Sequence, residues 1–151
     1  MPQSLARIHV HIVFSTKART PFLRNTRLRA DLHAYLAEAY RGQECPVTVV
    51  GGADDHVHIL CIMSKNRPLA DVIRDTKRSA SKWLKGRPGG AADFRWQQGY
   101  GAFSVSHSNV TRVRRYIAEQ EEHHKAQTFQ EEFRALLERH GLECDDRYVW
   151  D

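Results

Sequence analysis

Cysteine is scarce in this chain of 151 residues: Cys45, Cys61 and Cys144 are widely spaced, odd in number and form no CxxC pair. That pattern argues against a disulfide framework and for reduced thiols, with Cys61 as a core residue. Long apolar runs are missing too. Nothing approaches the roughly 18 residues needed to span a bilayer, and no apolar block of the signal-peptide kind opens the chain, so a cytoplasmic protein with no membrane partner is expected. No repeat and no low-complexity tract breaks up the sequence. With 41% hydrophobic residues it can bury one core and has little room for a second, so 1–151 is expected to be a single domain.

Acidic charge is sparse until the last part of the chain. From Ile117 onward acidic residues outnumber basic ones ten to four, whereas the remainder is strongly basic, which the net charge of +5 conceals. The densest block runs from Lys65 to Arg87, with Lys65, Arg67, Arg74, Lys77, Arg78, Lys82, Lys85 and Arg87 against only Asp71 and Asp75. Such a block suits a polyanionic partner, and it equally suits a solvated helix face.

Periodicity supplies the elements. Arg7 to Ser15 alternates and is β-branched, as a half-buried strand requires. Leu28, Leu32, Tyr35, Leu36 and Ala39 form a helical stripe ending before Gly42, which suits the C′ position. Val47 to Val50 and His56 to Met63 read as strands of a hairpin around a turn at Gly51 to Asp55. After Pro68, the residues Leu69, Val72, Ile73, Ala80, Trp83 and Leu84 follow helical spacing up to Pro88-Gly89-Gly90, with the basic side chains on the opposite face. Ala102 to Ser106 suits a fourth strand, Ser108 an N-cap, and Val110, Val113 and Ile117 the buried stripe of another helix, with Tyr116 and Gln120 at its border. Thr128 and Glu131 form a capping box for a last helix with Phe129, Phe133, Leu136 and Leu137 on its apolar face and Gly141 at its end. This order, βαββαβ with a C-terminal helical extension from about 127, predicts an α+β ferredoxin-like sandwich: an antiparallel sheet with helices on one face and the first and third strands as central neighbours.

Two HxH pairs lie on those two strands, His9-Val10-His11 and His56-Val57-His58. Strand side chains alternate, so each pair presents both imidazoles to one face, where they could hold a metal. By spacing alone, structural histidines are the more ordinary reading of both. Tyr116 and Gln120, four residues apart in a helical pattern, also share a face.

Taken in order, Asp54-Asp55-His56-Val57-His58-Ile59-Leu60, Trp96-Gln97-Gln98-Gly99-Tyr100-Gly101-Ala102-Phe103 and Tyr116-Ile117-Ala118-Glu119-Gln120 make the chain similar to the small single-tyrosine HUH transposases of the insertion sequence 200/605 type, over nearly its whole length. The resemblance implies that the HUH pair is His56 and His58, leaving His9 and His11 outside the motif. It further implies that Tyr116 is the nucleophile and Gln120 the third metal ligand. It implies single-stranded DNA with hairpin ends as substrate, and a homodimer in which the tyrosine-bearing helix of one subunit can complete the other's site.

The residue types suit such chemistry. Two neutral imidazoles and an amide oxygen leave open positions on Mg²⁺ or Mn²⁺, which can then polarise a scissile phosphate. Tyr116 would attack the phosphorus, a 3′-hydroxyl would leave, and the resulting 5′-phosphotyrosine would store the bond energy for rejoining without ATP. A free phenol titrates at about 10 and a free imidazole at about 6.5, so the tyrosine needs a proton acceptor and metal binding should fade in mild acid. His123 and His124 are conceivable acceptors, although they read first as a solvent-facing helix end. Arg74, Lys77, Arg78 and Lys82, sharing one side of their helix, with Lys17 and Arg19 after the first strand, are the candidate DNA-binding residues.

Three other readings differ in class. One is a domesticated, non-mobile hairpin-binding protein of the same fold. Another is an RNA-recognition motif, suggested by Gly99-Tyr100-Gly101-Ala102-Phe103, but that stretch opens the fourth strand rather than lying on the third. The last is a zinc site of His56, His58 and Cys61 or Cys45, which strand parity opposes: Cys61, three residues from His58, faces the other way.

Overall fold

Strand β1 (His9–Ser15) is buried along its whole length, because it is central and covered on both faces. In this computed structural model, which describes residues 3–151, it pairs antiparallel with β3 (His56–Ile62) on one side and β4 (Gly101–Val105) on the other. The outer strand β2 (Val47–Gly52) pairs with β3, giving the order β2-β3-β1-β4. This is the ferredoxin-like arrangement, with β1 and β3 as central neighbours. The hairpin is tighter than its glycines suggest. Gly51 and Gly52 continue β2, opposite His58 and Val57, so only Ala53 to Asp55 remain for the turn.

Parity along the strands separates two layers. Val10, Ile12 and Phe14 on β1, with Val57, Ile59 and Cys61 on β3, point into a core closed by α1 (Thr26–Gly42) and α2 (Leu69–Lys85). Leu28, Leu32, Leu36 and Tyr40 supply the α1 stripe, each buried aliphatic side chain contributing roughly 1.5–3 kcal/mol. The Asn25 side chain caps α1 by accepting hydrogen bonds from the backbone of Arg27 and Leu28 at 3.0 and 3.1 Å. Gly42 lies inside this helix rather than beyond it, and the left-handed residue that follows is Glu44, at φ 63°.

The opposite face is not open, as helices on one side alone would leave it. Val13 and Phe103 pack there against Phe129, Phe133, Leu136 and Leu137 of α5 (Phe129–Arg139). Between β4 and α5 the chain forms a short 3₁₀ turn (His107–Asn109), α3 (Val110–Ala118) and the single turn α4 (Gln120–His123). Ser108 lies within the 3₁₀ turn, and α3 begins after Asn109 without a side-chain cap. Of α3 only Ile117 is buried. The second layer exists because β1 and β3 carry Val13, Leu60, His11, His56 and His58 on that face, too much apolar and polar surface to leave half-paired.

Lys77 departs from the basic face expected of it. At an i+4 step from Ile73 it falls on the buried stripe of α2, and its ammonium donates to the carbonyls of Gln97, Gln98 and Gly99 at 2.7, 3.4 and 3.0 Å while lying over the Phe14 ring. Burial pulls it down to about 8. Lys77 is therefore a clamp on the loop before β4, not part of a polyanion surface. Truncation in Lys77→Ala would strand three carbonyls, an expected loss of about 1–3 kcal/mol in urea unfolding. The salt needed to elute the variant from heparin should equal that of the wild type; a large shift there would return Lys77 to the surface.

Candidate active site

His56 and His58 project from β3 toward the second layer, both wholly buried. Each has its Nδ1 engaged behind it. The Asp55 carboxylate lies 2.7 Å from His56 Nδ1, and His11 Nε2 lies 2.7 Å from His58 Nδ1. Partners of this kind fix ring orientation and leave Nε2 directed at a common point. His11 is thus beside the site although it offers no atom to its centre. His9 is not; its Nε2 meets His107 Nδ1 at 3.2 Å.

The helices bring the remaining groups. Gln120 Oε1 lies 2.9 Å from His56 Nε2, and Gln120 Nε2 donates to Glu132 Oε2 at 3.0 Å. Tyr116, whose ring centroid is 6.0 Å from that of His58, donates its hydroxyl to Glu132 Oε2. The two residues reach the cluster although the helix breaks between them, at Glu119 (φ −100°, ψ 21°). Glycine makes the approach possible: a Cβ on Gly51 would fall 2.2 Å from the Ile117 carbonyl oxygen, so α3 rests directly on the β2 backbone.

Two donors lie outside the expected set. Glu132, 1% exposed, turns Oε1 to His58 Nε2 at 2.9 Å and to His124 Nε2 at 3.1 Å. His124 also lies 3.0 Å from Gln120 Oε1, so it points inward rather than forming a solvent-facing helix end. His123 instead packs its ring on Tyr116, with centroids 4.6 Å apart. Glu132 left one mark in the sequence. It stands three residues after Phe129 and one before Phe133, a carboxylate on an otherwise apolar stripe. Asp55 stands inside the motif that carries His56 and His58, and the sequence marks His124 as a proton acceptor rather than as a ligand.

Ligand atoms of His56, His58, His124 and Glu132 all lie within 4.8 Å of one another, with the Gln120 oxygen among them. Three imidazole nitrogens, a carboxylate and an amide oxygen suit a divalent cation. Protonation supports the fit. Burial pushes His58 down to about 4, partly offset by the Glu132 hydrogen bond, so it is neutral near pH 7. Burial alone would raise Glu132, but hydrogen bonds from His124, His58 and Tyr116 hold its carboxyl well below the usual range. Burial lowers His124, and the Glu132 hydrogen bond and charge outweigh it, for a net rise. Burial and the hydrogen bond to Glu132 push the Tyr116 phenol well above 10, so it is protonated at neutrality.

The other expected site residues lie elsewhere. Arg74, Arg78 and Lys82 are exposed on α2, across the sheet from Tyr116. Arg74 pairs with Asp71 and Asp75, both at 3.1 Å. Lys17 is exposed, and the Arg19 guanidinium lies 5.6 Å from the Trp150 ring centroid. Cys61 is buried in the α1–α2 core, away from both histidines, as parity requires.

The family model described as "Transposase IS200 like" matches residues 4–120, most of the chain. The chain belongs to the IS200-like transposase family. The match includes His56, His58, Tyr116 and Gln120 and stops short of His124 and Glu132. Among solved structures, a protein from Deinococcus radiodurans R1 assigned as a transposase superposes with a TM-score of 0.59 at 18% identity, covering 78% of this chain and 95% of that one. A REP-associated tyrosine transposase bound to a REP hairpin superposes with a TM-score of 0.52 at 12% identity, covering 78% and 67%. At these identities the likeness is one of fold. No curated protein matches the chain. No helix is long and apolar enough to cross a membrane among the described residues of this family member.

Buried imidazoles give the metal-free protein a defined acid response. His33, by burial first and the Arg29 charge second, is lowered to about 4; His58 is at about 4, and His11 is also well below its usual value. Unfolded, each binds a proton at about 6.5, so their contribution is intact above that pH and is lost as pH falls toward their folded values. His124, raised, acts in the opposite sense but alone. In chelator, Tm should therefore fall between about pH 6.5 and about 4, and His33→Gln should flatten part of that slope. A Tm constant over that window would contradict the buried neutral imidazoles.

Proposed function

We propose that the chain, as one catalytic unit over 1–151, cleaves and rejoins hairpin-bearing single-stranded DNA through a 5′-phosphotyrosine at Tyr116. The observation that carries this reading is the meeting of the Tyr116 hydroxyl, the His56–His58 pair and Gln120 in one buried cluster. Family membership supports DNA breakage and joining, and the hairpin bound to the REP-associated tyrosine transposase supports a hairpin-bearing substrate.

In this reading the Tyr116 oxygen attacks the scissile phosphorus, forming one P–O bond as the bond to the 3′ oxygen breaks, and that oxygen leaves as a 3′-hydroxyl. The Tyr116 proton passes to Glu132 Oε2, which accepts its hydrogen bond, and the carboxyl returns it through solvent water to the departing 3′ oxygen. Attack by another 3′-hydroxyl on the adduct reverses the step and restores the phenol. His56, His58 and Gln120 would hold a divalent cation, with His124 and Glu132 as further donors. Mg²⁺ or Mn²⁺ there supplies Lewis-acid polarisation of the phosphate. Asp55 and His11 keep the two imidazoles oriented, and α5 excludes water from behind them.

We also read the working form as a homodimer acting on DNA in the cytoplasm. Within one chain Tyr116 already reaches Glu132, yet α3 buries only Ile117. Its exchange between two copies, completing sites in trans, would therefore expose little apolar surface.

With Mg²⁺ and single strands taken from the palindromes flanking its gene, the protein should form a denaturant-resistant DNA adduct. Tyr116→Phe should abolish the adduct and leave hairpin binding intact; an adduct surviving in that variant would remove Tyr116 as nucleophile. For the cation, titration calorimetry with Mn²⁺ should show binding lost or weakened by at least about tenfold in His56→Ala. His9→Ala should bind as the wild type does, and equal losses in both would mean the wrong histidine pair.

A further inference from the structure

The basic face of α2 cannot present a strand to Tyr116, because the sheet lies between them. Positive charge does occur on the right side, at a cleft that the proposed chemistry has not used. This cavity of about 290 Å³ opens between β4, α3 and α5, and Tyr116 and His11 form part of its wall. Arg112 enters it from α3 and Arg139 from the end of α5. No aspartate or glutamate lines it, and neither arginine makes an ion pair among the described residues. Its remaining wall includes Val113, Leu136 and His140, the last held by stacking on Phe103 at 4.6 Å between centroids.

We propose that this cleft seats the nucleotide next to the scissile phosphate, its base against Val113, Leu136 and His140 and its backbone phosphates on Arg112 and Arg139. The inference rests on the strand-transfer reading for what happens at Tyr116, but the cleft itself is a claim about where single-stranded DNA lies. Three features select this occupant. Two unpaired guanidiniums without a competing carboxylate call for phosphate oxygens. A mixed apolar and imidazole wall suits the face of a base. The volume accepts a single base with its sugar and cannot accept a duplex. The location adds a mechanistic reason, since a strand held there passes the Tyr116 side chain.

The test uses the full chain carrying Tyr116→Phe, so that binding is measured without cleavage, and an oligodeoxythymidine strand of about twelve nucleotides. Arg112→Ala with Arg139→Ala should weaken binding at least about tenfold, and should lower the salt slope by about 1.4, near 0.7 per phosphate contact on a single strand. Arg112→Lys with Arg139→Lys should keep most of the slope. Both arginines are exposed, so thermal melting should be unchanged in either pair. With bromodeoxyuridine in the strand, photocrosslinks should map to peptides of α3 and α5. Unchanged affinity and slope, or crosslinks confined to α2, would overturn the cleft. The two proposals fail separately. A strand bound in the cleft by a chain that never forms an adduct on a Tyr116 background would sink the strand-transfer reading alone. An undiminished adduct in the Arg112→Ala, Arg139→Ala variant would sink the cleft alone.

Discussion

The second layer of this protein is organised around one buried carboxylate. Glu132 enters from α5 and accepts from Tyr116 on α3 and Gln120 on α4, while facing His58 on β3 and His124 in the loop beyond α4. A charge so placed is tolerable only because every lone-pair direction has a partner. The same condition ties α3, α4, the loop beyond it and β3 to α5. Around α3 in particular, with one buried residue, polar contacts to Glu132 and the close seat on Gly51 do the positioning that a hydrophobic stripe does for α1 and α2.

The carboxylate also links two kinds of chemistry through its two oxygens. Oε1 faces the imidazole nitrogens, whereas Oε2 faces the phenol and the amide. In the proposed reaction a single side chain therefore belongs both to the cation's surroundings and to the proton path of the nucleophile. That arrangement comes from a helix beyond the residues matched by the family model. The C-terminal extension is thus part of the site's wall, and its far end contributes Arg139 to the proposed strand cleft.

Charge on an apolar stripe marks a buried polar network at two places in this fold. Lys77 on α2 and Glu132 on α5 both occupy stripe positions, and both are buried with several partners. A charge count treats Lys77 as one more cation on a basic face, and a capping-box reading of α5 gives attention to Glu131 and passes over its neighbour. Helical phase separates the two cases, because a buried ionisable group survives only where partners are waiting. The partners lie 20 to 22 residues away for Lys77 and up to 74 for Glu132, which no local window can see.

The residue pattern settled what strand parity and helix phase can settle. It fixed the βαββαβ order, the central pairing of β1 with β3, the common face of His56 and His58, and the turning away of Cys61, since each follows from a period of two or of 3.6. The motifs were enough to name the family. Tertiary structure alone decided how α3 meets the sheet, through the missing Cβ of Gly51. It decided that His124 turns inward, that His11 supports His58, and that Glu132 joins the cluster. It also put the α2 cations and Tyr116 on opposite sides of the sheet. These outcomes depend on contacts between segments far apart in the chain, and on which face of the sheet each helix covers, so they become visible only once the layers are packed.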